Sequence, residues 1–334
     1  MAERNYKYDN MKFFLILCVV IGHLVTQHFS KELYPSMMYG WIYLFHMPAF
    51  IFISGLFSKK IVDNKCYDRI VPYVILYIMM ESFTFFADKL RGKGTGSLNF
   101  LSEDGVPWFA LALLWWYLVT ILVRKVHPLY ILFVSVCLAV IAGYTTEIGP
   151  FLALRRSVIF YPFFYVGYIL PVDKLARVYK NIYVRIFSVI CILGSLALAV
   201  FGTDFLLNWI PLFRGRYLFS EIETGLPTVT GPLWRIAMYM ISFLLTIAIL
   251  TVIPGIKIPV ISRVGSKTLS IYFFHISVMK LLYAFIPQYK RWLKGGHSTI
   301  KIIIASFVIT LILSTPIFDW PIRKIMKVPK RKEQ

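Results

Sequence analysis

Charged residues are scarce in this sequence, and acidic ones are scarcer still. Only 16% of the 334 residues are Asp, Glu, Lys or Arg, and 16 acidic residues stand against 36 basic ones. With 58% hydrophobic residues and a mean hydropathy of +0.70, the chain carries more apolar surface than a soluble domain can bury. This composition excludes an ordinary soluble protein and predicts an all-α polytopic membrane protein.

The chain also contains few cysteines, and its first apolar stretch does not look like a cleaved signal peptide. Its four cysteines lie far apart and match no metal-ligand spacing. Three of them fall inside apolar runs, so we interpret them as small hydrophobic side chains, and we predict no metal site. The first apolar stretch lacks a small-residue cleavage site and is followed by further apolar stretches, so we expect it to be retained as a span.

Ten apolar stretches are candidates for transmembrane helices. They cover approximately residues 11–28, 38–57, 70–87, 107–123, 129–145, 157–171, 182–201, 232–253, 267–286 and 299–317. The sixth is short, which suggests a tilted or partly re-entrant segment. Pro48 falls inside the second stretch and is expected to open that helix just after His46. We therefore expect one transmembrane domain over 1–334, with about ten helices and no separate soluble domain.

The distribution of basic residues predicts how the chain sits in a plasma (inner) membrane. An even number of spans places both termini on one side, and most lysines and arginines fall in the loops and tails of that side. The positive-inside rule then puts both termini in the cytoplasm. The net charge of +20 would suggest nucleic acid for a soluble protein. Here most of the excess is next to the membrane, where topology and anionic lipid explain it, so we expect the bilayer and no nucleic acid as partner.

Lys12 and His23 are the polar residues that single out the first span. Their spacing of eleven residues is close to three turns of helix, so both side chains share one face. At 1.5 Å per residue the histidine lies roughly 16 Å beyond the lysine, about halfway across a hydrocarbon core of about 30 Å. An imidazole at that depth is costly without a polar partner or a cavity, which makes His23 a functional-site candidate. Lys12 marks the cytoplasmic mouth of the same path.

A basic cluster follows the second span and returns to the same side as Lys12. It comprises Lys59, Lys60, Lys65 and Arg69. Several cations at one membrane pocket suit the phosphates of a soluble donor. The alternative explanation is that these basic residues only set the orientation of the chain in the membrane.

Five further residues are candidates, each with a structural alternative. His46 would orient His23 or contact an acceptor, or else hydrogen-bond within the helix packing. Glu81 is the carboxylate well inside an apolar span, costly unless it has a partner or a role in the chemistry. Arg155 and Arg156 lie on the extracytoplasmic side, where they would bind an anionic group or anchor a helix end. Trp108 would stack on a sugar or belong to an aromatic belt.

The long extracytoplasmic loop from 202 to 231 is the stretch most suited to acceptor selection. Charged residues occur in it among aromatic ones, a mixture that suits ligands rich in hydroxyl groups. They are Asp204, Arg214, Arg216, Glu221 and Glu223. An ordinary loop with a short interfacial helix explains the same pattern equally well.

Six sequence blocks together resemble the acyltransferase-3 family of membrane acyltransferases, most closely its fucose 4-O-acetylase-like branch. The first is Lys12, ten residues and His23, preceded by Asp9. The others are HMPAFIFISGLF at 46–57, KCYDRIVPY at 65–73, VPWFALAL at 106–113, RRSVIFYPFFYVGYIL at 155–170 and ISRVGSKTLSIYFFHI at 261–276. The chain departs from most members in having Lys12 where they have arginine, and it shows no appended hydrolase-like domain.

The resemblance implies an acyl-CoA-dependent O-acyltransferase, with acetyl-CoA as donor and a cell-envelope glycan or its lipid-linked precursor as acceptor. Lys12 and the basic cluster would then hold coenzyme A, while His23, His46 and Glu81 would form the catalytic set. Arg155, Arg156, Trp108 and His275 would contact the acceptor, although a structural hydrogen bond is the favoured interpretation of His275. His23 would act as a general base, or would itself be acylated and pass the group on.

The alternative function is a transporter or flippase of a glycan or lipid-linked glycan. The sequence leaves open whether the protein forms a homo-oligomer.

Overall fold

The computed structural model of the protein describes residues 5–28, 32–92, 97–102, 105–222, 226–294 and 296–327. Helices dominate these ranges, in keeping with the predicted all-α fold. In chain order they are α1 Tyr6–His28, α2 Leu33–Tyr43, α3 His46–Leu56, α4 Lys59–Asp63, α5 Val71–Leu90, α6 Trp108–Val123, α7 Pro128–Ile141, α8 Leu154–Ile169, α9 Val172–Lys180, α10 Ile182–Phe201, α11 Thr203–Arg214, α12 Leu226–Val252, α13 Pro259–Gly265, α14 Thr268–Phe285, α15 Pro287–Lys294, α16 Ser298–Leu313 and α17 Pro316–Met326.

Within the described ranges, six segments are long and apolar enough to cross a membrane, and the number rises to eight if two bent helix pairs each count as one span. The bent pairs are α8 with α9, at 92°, and α16 with α17, at 57°. The other two predicted spans correspond to α6 and α7, apolar helices of 16 and 14 residues. Both are shorter than the roughly 20 residues that a straight crossing requires. The all-α polytopic fold is confirmed, whereas a count of ten spans is not.

The second span is broken just before His46, not just after it as predicted. α2 ends at Tyr43, and α3 begins at His46 with Pro48 in its first turn. The ring of a helical proline clashes with the carbonyl four residues earlier, so the helix opens on the N-terminal side of Pro48. Two side chains donate hydrogen bonds to backbone carbonyls beside the break. The His46 ring donates to Ile42 O at 2.8 Å, and Ser242 Oγ donates to Leu44 O at 2.7 Å. The break therefore fixes the orientation of the His46 ring.

α3 and α8 cross at a pair of glycines. A Cβ at Gly55 would overlap the backbone carbonyl of Phe164, and a Cβ at Gly167 would overlap the backbone of Phe52. Small residues of this kind let two membrane helices bring their backbones together. α3 carries His46 and α8 carries Arg156, so this crossing sets the distance between two candidate site residues.

The start of α1 is held by hydrogen bonds to the segment between α12 and α13. Lys7 Nζ donates to Ile253 O at 2.6 Å, and the Asn10 amide donates to Pro254 O and Ile256 O, both at 2.9 Å. Ser262 Oγ donates to Asn10 Oδ1 at 2.7 Å. These bonds fix the position of α1 along its own axis. They therefore also fix the positions of Lys12 and His23 along that axis.

Candidate functional site

A cavity of about 300 Å³, here called the Lys12 cavity, opens beside the first half of α1. α1 lines it with Lys12, Ile16 and Val19. The rest of its wall is apolar and aromatic, with a few hydroxyl groups. It comprises Met47, Phe50, Ile53, Ser54, Phe57, Tyr73, Phe109, Leu113, Tyr117, Thr268, Leu269 and Tyr272. The Lys12 ammonium lies 2.9 Å from the Asp9 carboxylate, one turn earlier on the helix. The cavity is therefore a mostly apolar passage with one cation on its wall.

A second cavity of about 240 Å³, the His23 cavity, lies further along the same helix face. It contains four of the residues that the sequence singles out: His23, His46, Trp108 and Arg156. Its remaining wall is formed by Tyr43, Met47, Thr84, Gly105, Val106, Phe160, Phe213, Arg214, Ile276 and Lys280. This cavity is more polar than the first and carries most of the titratable groups.

The two cavities adjoin along α1. Lys12, Ile16, Val19 and His23 follow one another at spacings of four, three and four residues, which is a single stripe on a helix. Met47 lines both cavities, and in the described ranges no other residue does so. The packing supports the predicted path from Lys12 to His23, with Met47 at the junction.

Hydrogen bonds settle which ring nitrogen of two histidines carries a proton. A carbonyl oxygen can only accept, so Nδ1 of His46 donates to Ile42 O and Nδ1 of His275 donates to Tyr272 O at 2.8 Å. In the neutral rings Nε2 is then an acceptor. The orientation of these rings is set by backbone, a common way of preparing a histidine for a role at a site.

His275 lies behind His23 and not in the cavity wall. It is fully buried, its ring centroid is 5.2 Å from that of His23, and its Nε2 has no hydrogen-bond partner in the described chain. This position fits the structural interpretation of His275 better than direct contact with a substrate. It also leaves one buried acceptor next to the His23 ring.

Trp108 and Arg156 form one unit of the His23 cavity. The Arg156 guanidinium lies 5.2 Å from the centre of a Trp108 ring, and Arg156 NH1 donates to Gly105 O at 3.1 Å. A guanidinium over an indole is a favourable cation–π arrangement. Arg155 next to it turns away, donating to Arg216 O and Thr145 O, each at 2.9 Å.

Sequence reasoning missed Lys280 and Tyr43 as members of this cavity, and it named Arg214 only as one of the loop residues suited to acceptor selection. Lys280 forms an ion pair with Asp88 at 2.6 Å. A lysine inside an apolar span is itself unusual, and this feature of the sequence could have marked Lys280 as a site candidate. Arg214 comes from the long loop, where it ends α11. Burial opposes its charge, but the neighbouring hydroxyls of Tyr39, Tyr43 and Tyr217 raise the pKa of Arg214. Tyr43, one turn before His46, could be inferred only from the packing of α2.

Some predicted residues are not brought into either cavity. Glu81 lies half-buried on α5, one turn before Thr84, and Lys59, Lys60, Lys65 and Arg69 are exposed on and after α4. The basic cluster does follow Phe57, which lines the Lys12 cavity. The roles of these residues stay predictions. In the part of the chain that the structure describes, no group of three or more His, Cys, Asp or Glu is placed to hold a metal ion.

Comparison with known proteins gives one family and one relative. The acyltransferase domain family, acyltransferase-3, matches residues 5–319. The nodulation protein NolL of Sinorhizobium fredii (strain NBRC 101917 / NGR234) is 29% identical over 183 residues, which are 50% of this chain and 49% of that protein. The match thus spans about half the length of the relative. No solved structure gives a significant match.

Proposed function

The chain belongs to the acyltransferase-3 family of membrane acyltransferases, and from this we propose that it transfers an acetyl or similar short acyl group from acyl-CoA to a hydroxyl of a cell-envelope glycan or its lipid-linked precursor. The observation that carries the proposal is the stripe of α1 that joins the Lys12 cavity to the His23 cavity. A narrow passage with a cation near one end and an imidazole near the other suits coenzyme A. Its head is polyanionic, and its long thin arm ends in the thioester.

The Lys12 cavity would hold the pantetheine arm, with the phosphates outside it. Its wall is almost entirely apolar and aromatic, which suits a thin chain better than a sugar. Lys12 would contact the head group at the entrance, as a compact charge does with phosphate. The exposed Lys59, Lys60, Lys65 and Arg69 would add positive charge near this entrance, since their segment continues directly from α3.

His23 would carry the chemistry as a general base. Its ring takes the proton of an acceptor hydroxyl, the oxygen attacks the thioester carbonyl, and the carbon–sulfur bond breaks. The proton then passes from the imidazole to the departing thiolate, which leaves as the thiol of coenzyme A. His46 and His275, both held by backbone carbonyls, would keep the His23 ring in position, and Arg156 and Arg214 would stabilise negative charge in the cavity.

The orientation that goes with this proposal places the Lys12 end in the cytoplasm, where acyl-CoA is found. Both termini then face the cytoplasm of an inner-membrane protein, and the His23 cavity lies toward the outer half of the bilayer. Arg155 and Arg156 fall on the extracytoplasmic side. The acceptor would therefore enter from the side opposite to the donor.

The direct test is to incubate the purified protein in lipid nanodiscs with radiolabelled acetyl-CoA and envelope glycan. Label should appear in the glycan and should require the protein. Absence of transfer with every acyl donor tried, together with movement of glycan across liposome membranes, would instead favour a transporter.

Replacing Lys12 with alanine is expected to raise the KM for acyl-CoA about tenfold or more, because a charge-assisted contact to phosphate contributes about 1.5–3 kcal/mol. Lys12→Arg should recover most of the affinity. The exposed Lys174 on α9, which lines neither cavity, provides the control, and Lys174→Ala should behave as wild type. Donor KM is measured by initial rates at saturating glycan. Equal KM values for Lys12→Ala and Lys174→Ala would remove Lys12 from the donor site.

A further inference from the structure

A third cavity, of about 250 Å³, lies between α10, α11 and α12, and we call it the α10–α12 cavity. Its wall is almost entirely apolar. Trp234 and Leu245, eleven positions apart on α12, both line it, so the cavity extends for about 16 Å along that helix. α10 and α12 both belong to the segments that are long and apolar enough to cross a membrane. The cavity is therefore an elongated apolar space that runs along two membrane helices.

Part of the cavity wall faces outward from the helix bundle. Four of its lining side chains are exposed: Leu198 on α10, Phe205 on α11, and Ile241 and Leu244 on α12. Exposed apolar side chains on membrane-crossing helices contact the hydrocarbon of the bilayer. A hydrocarbon chain can therefore enter this cavity sideways from the membrane.

Another part of the wall borders the His23 cavity. Phe213, buried near the end of α11, lines both cavities. The end of α2 forms a second part of the same partition, because Tyr43 lines the His23 cavity and the next residue, Leu44, lines the α10–α12 cavity. A molecule that occupied both cavities would cross this partition beside Phe213.

Two polar side chains of the α10–α12 cavity are already engaged with the protein. Ser195 Oγ accepts from Trp41 Nε1 at 2.9 Å and donates to Ile192 O at 2.8 Å. Trp234 Nε1 donates to Thr230 Oγ1 at 2.8 Å. A sugar in this cavity would lose its hydrogen bonds to water with few replacements, whereas a hydrocarbon chain has none to lose. The wall thus suits hydrocarbon and not the sugar itself.

Arg214 supplies positive charge on the far side of the partition. It follows Phe213 in the chain, lines the His23 cavity and donates to the Tyr217 hydroxyl at 3.3 Å. A guanidinium is a good donor to phosphate oxygens. The order along this path is apolar cavity, cation and imidazole. It matches the order of chain, phosphate and sugar in a lipid that carries a sugar through a phosphate.

From these contacts we propose that the acceptor is a sugar linked through a phosphate to a long hydrocarbon chain, and that the α10–α12 cavity binds this chain while a sugar hydroxyl lies beside His23. The inference rests on the proposed function and narrows its acceptor to the lipid-linked class, in place of a free glycan. Bulk phospholipid is the alternative occupant of the cavity, and the test separates the two.

The test uses the full chain in phosphatidylcholine nanodiscs without any acyl donor. Farnesyl phosphoryl glucose with a diazirine in its isoprenoid chain is irradiated, and the modified residues are mapped by mass spectrometry. We expect adducts on the residues of α10, α11 and α12 that line the cavity. An excess of unlabelled farnesyl phosphoryl glucose should remove them, and the same concentration of glucose 1-phosphate should not. Adducts only elsewhere, or adducts that survive the unlabelled lipid, would overturn the proposal and indicate bulk lipid.

Ala237→Phe fills the cavity, and Ala197→Phe is the matched control. Ala237 lines the α10–α12 cavity, whereas Ala197 is exposed on α10 and lines none of the cavities described. The concentration of unlabelled lipid that halves the adduct should rise about tenfold or more in Ala237→Phe, equivalent to displacing about two buried methylene groups. It should not change in Ala197→Phe. Equal values in the two variants would contradict the proposal. Thermal melting shows whether each variant is folded, and the wild-type adducts decide the question if Ala237→Phe does not fold.

Acyl transfer separates this inference from the proposed function. His23→Ala should keep the competed adducts while losing transfer of label. If the wild-type protein forms these adducts but transfers no acyl group to any acceptor, the proposed function is wrong and the binding site for the chain stands. If it acylates soluble glycan as efficiently as farnesyl phosphoryl glucose, and Ala237→Phe changes neither rate, the proposed function stands and the binding site for the chain is wrong.

Discussion

Replacing His23 with alanine is expected to lower the rate of acyl transfer by about two to four orders of magnitude, the usual contribution of a general base. His23 is half-buried, lines its cavity and lies at the end of the stripe that begins at Lys12. His275 is fully buried and does not line this cavity, whereas His46 lines it with Nδ1 donated to Ile42 O and Nε2 left as an acceptor. The measurement is the initial rate of label transfer from acetyl-CoA.

The control for this prediction is His127→Ala. His127 is exposed at the start of α7 and lines none of the cavities described, so its loss should leave the rate unchanged. Binding of acyl-CoA should survive in His23→Ala, since the Lys12 cavity is a separate space. Transfer at wild-type rates in His23→Ala would rule out a catalytic role for this residue.

The two chemical routes for His23 differ in one observable. A general base never carries the acyl group, so acid quenching during turnover should leave the mass of the protein unchanged. A covalent relay would add one acyl group to the peptide that contains His23. We expect the unmodified peptide, because the adjoining cavities let donor and acceptor meet at one imidazole.

Replacing Gly55 with alanine should destabilise the protein and remove most of its activity. The new Cβ would overlap the Phe164 carbonyl, and backbone of α8 cannot move aside as a flexible side chain can. Overpacking of this kind costs about 1–3 kcal/mol, and here it also separates the two helices that carry His46 and Arg156. We expect a lower midpoint of thermal unfolding in detergent and a loss of transfer that exceeds the loss of folded protein.

Gly194→Ala is the matched control for the helix crossing. Gly194 lies inside α10, and a Cβ there would meet no other atom within 4 Å. Alanine is about 0.5–1 kcal/mol better than glycine inside a helix, so stability should be unchanged or slightly higher. Equal unfolding midpoints for the Gly55 and Gly194 variants would show that α3 and α8 do not need their close approach.

Local periodicity was enough to predict the stripe on α1. The shared face of Lys12 and His23 follows from their spacing and the number of residues per helical turn. The membrane class follows from the count of apolar residues. The choice of His46, Trp108 and Arg156 followed from the cost of polar groups in a membrane and from resemblance, and the structure places all three in the His23 cavity.

Contacts between residues that are far apart in the chain could not be predicted from the sequence. Nothing near Met47 marks it as the junction of two cavities, and Lys280 reaches the His23 cavity only because α14 packs against α5, where Asp88 lies. The break beside His46 was placed on the wrong side because the clash of Pro48 acts on the carbonyl four residues earlier. The count of ten spans is not confirmed, because α8 and α16 each bend into a neighbouring helix and because α6 and α7 are shorter than a straight crossing requires.

Met47 also bears on how the membrane stays electrically tight. Where water fills both cavities that it borders, the transmembrane potential falls mainly across this thin wall and not evenly over about 30 Å of hydrocarbon. Moving one elementary charge across it involves about 2.3 kcal/mol per 100 mV. A flexible thioether can yield to a passing acyl group and close again behind it. In an energised membrane with both cavities hydrated, Met47 would then be the side chain across which most of this potential falls, and we expect it to limit proton movement between the two cavities.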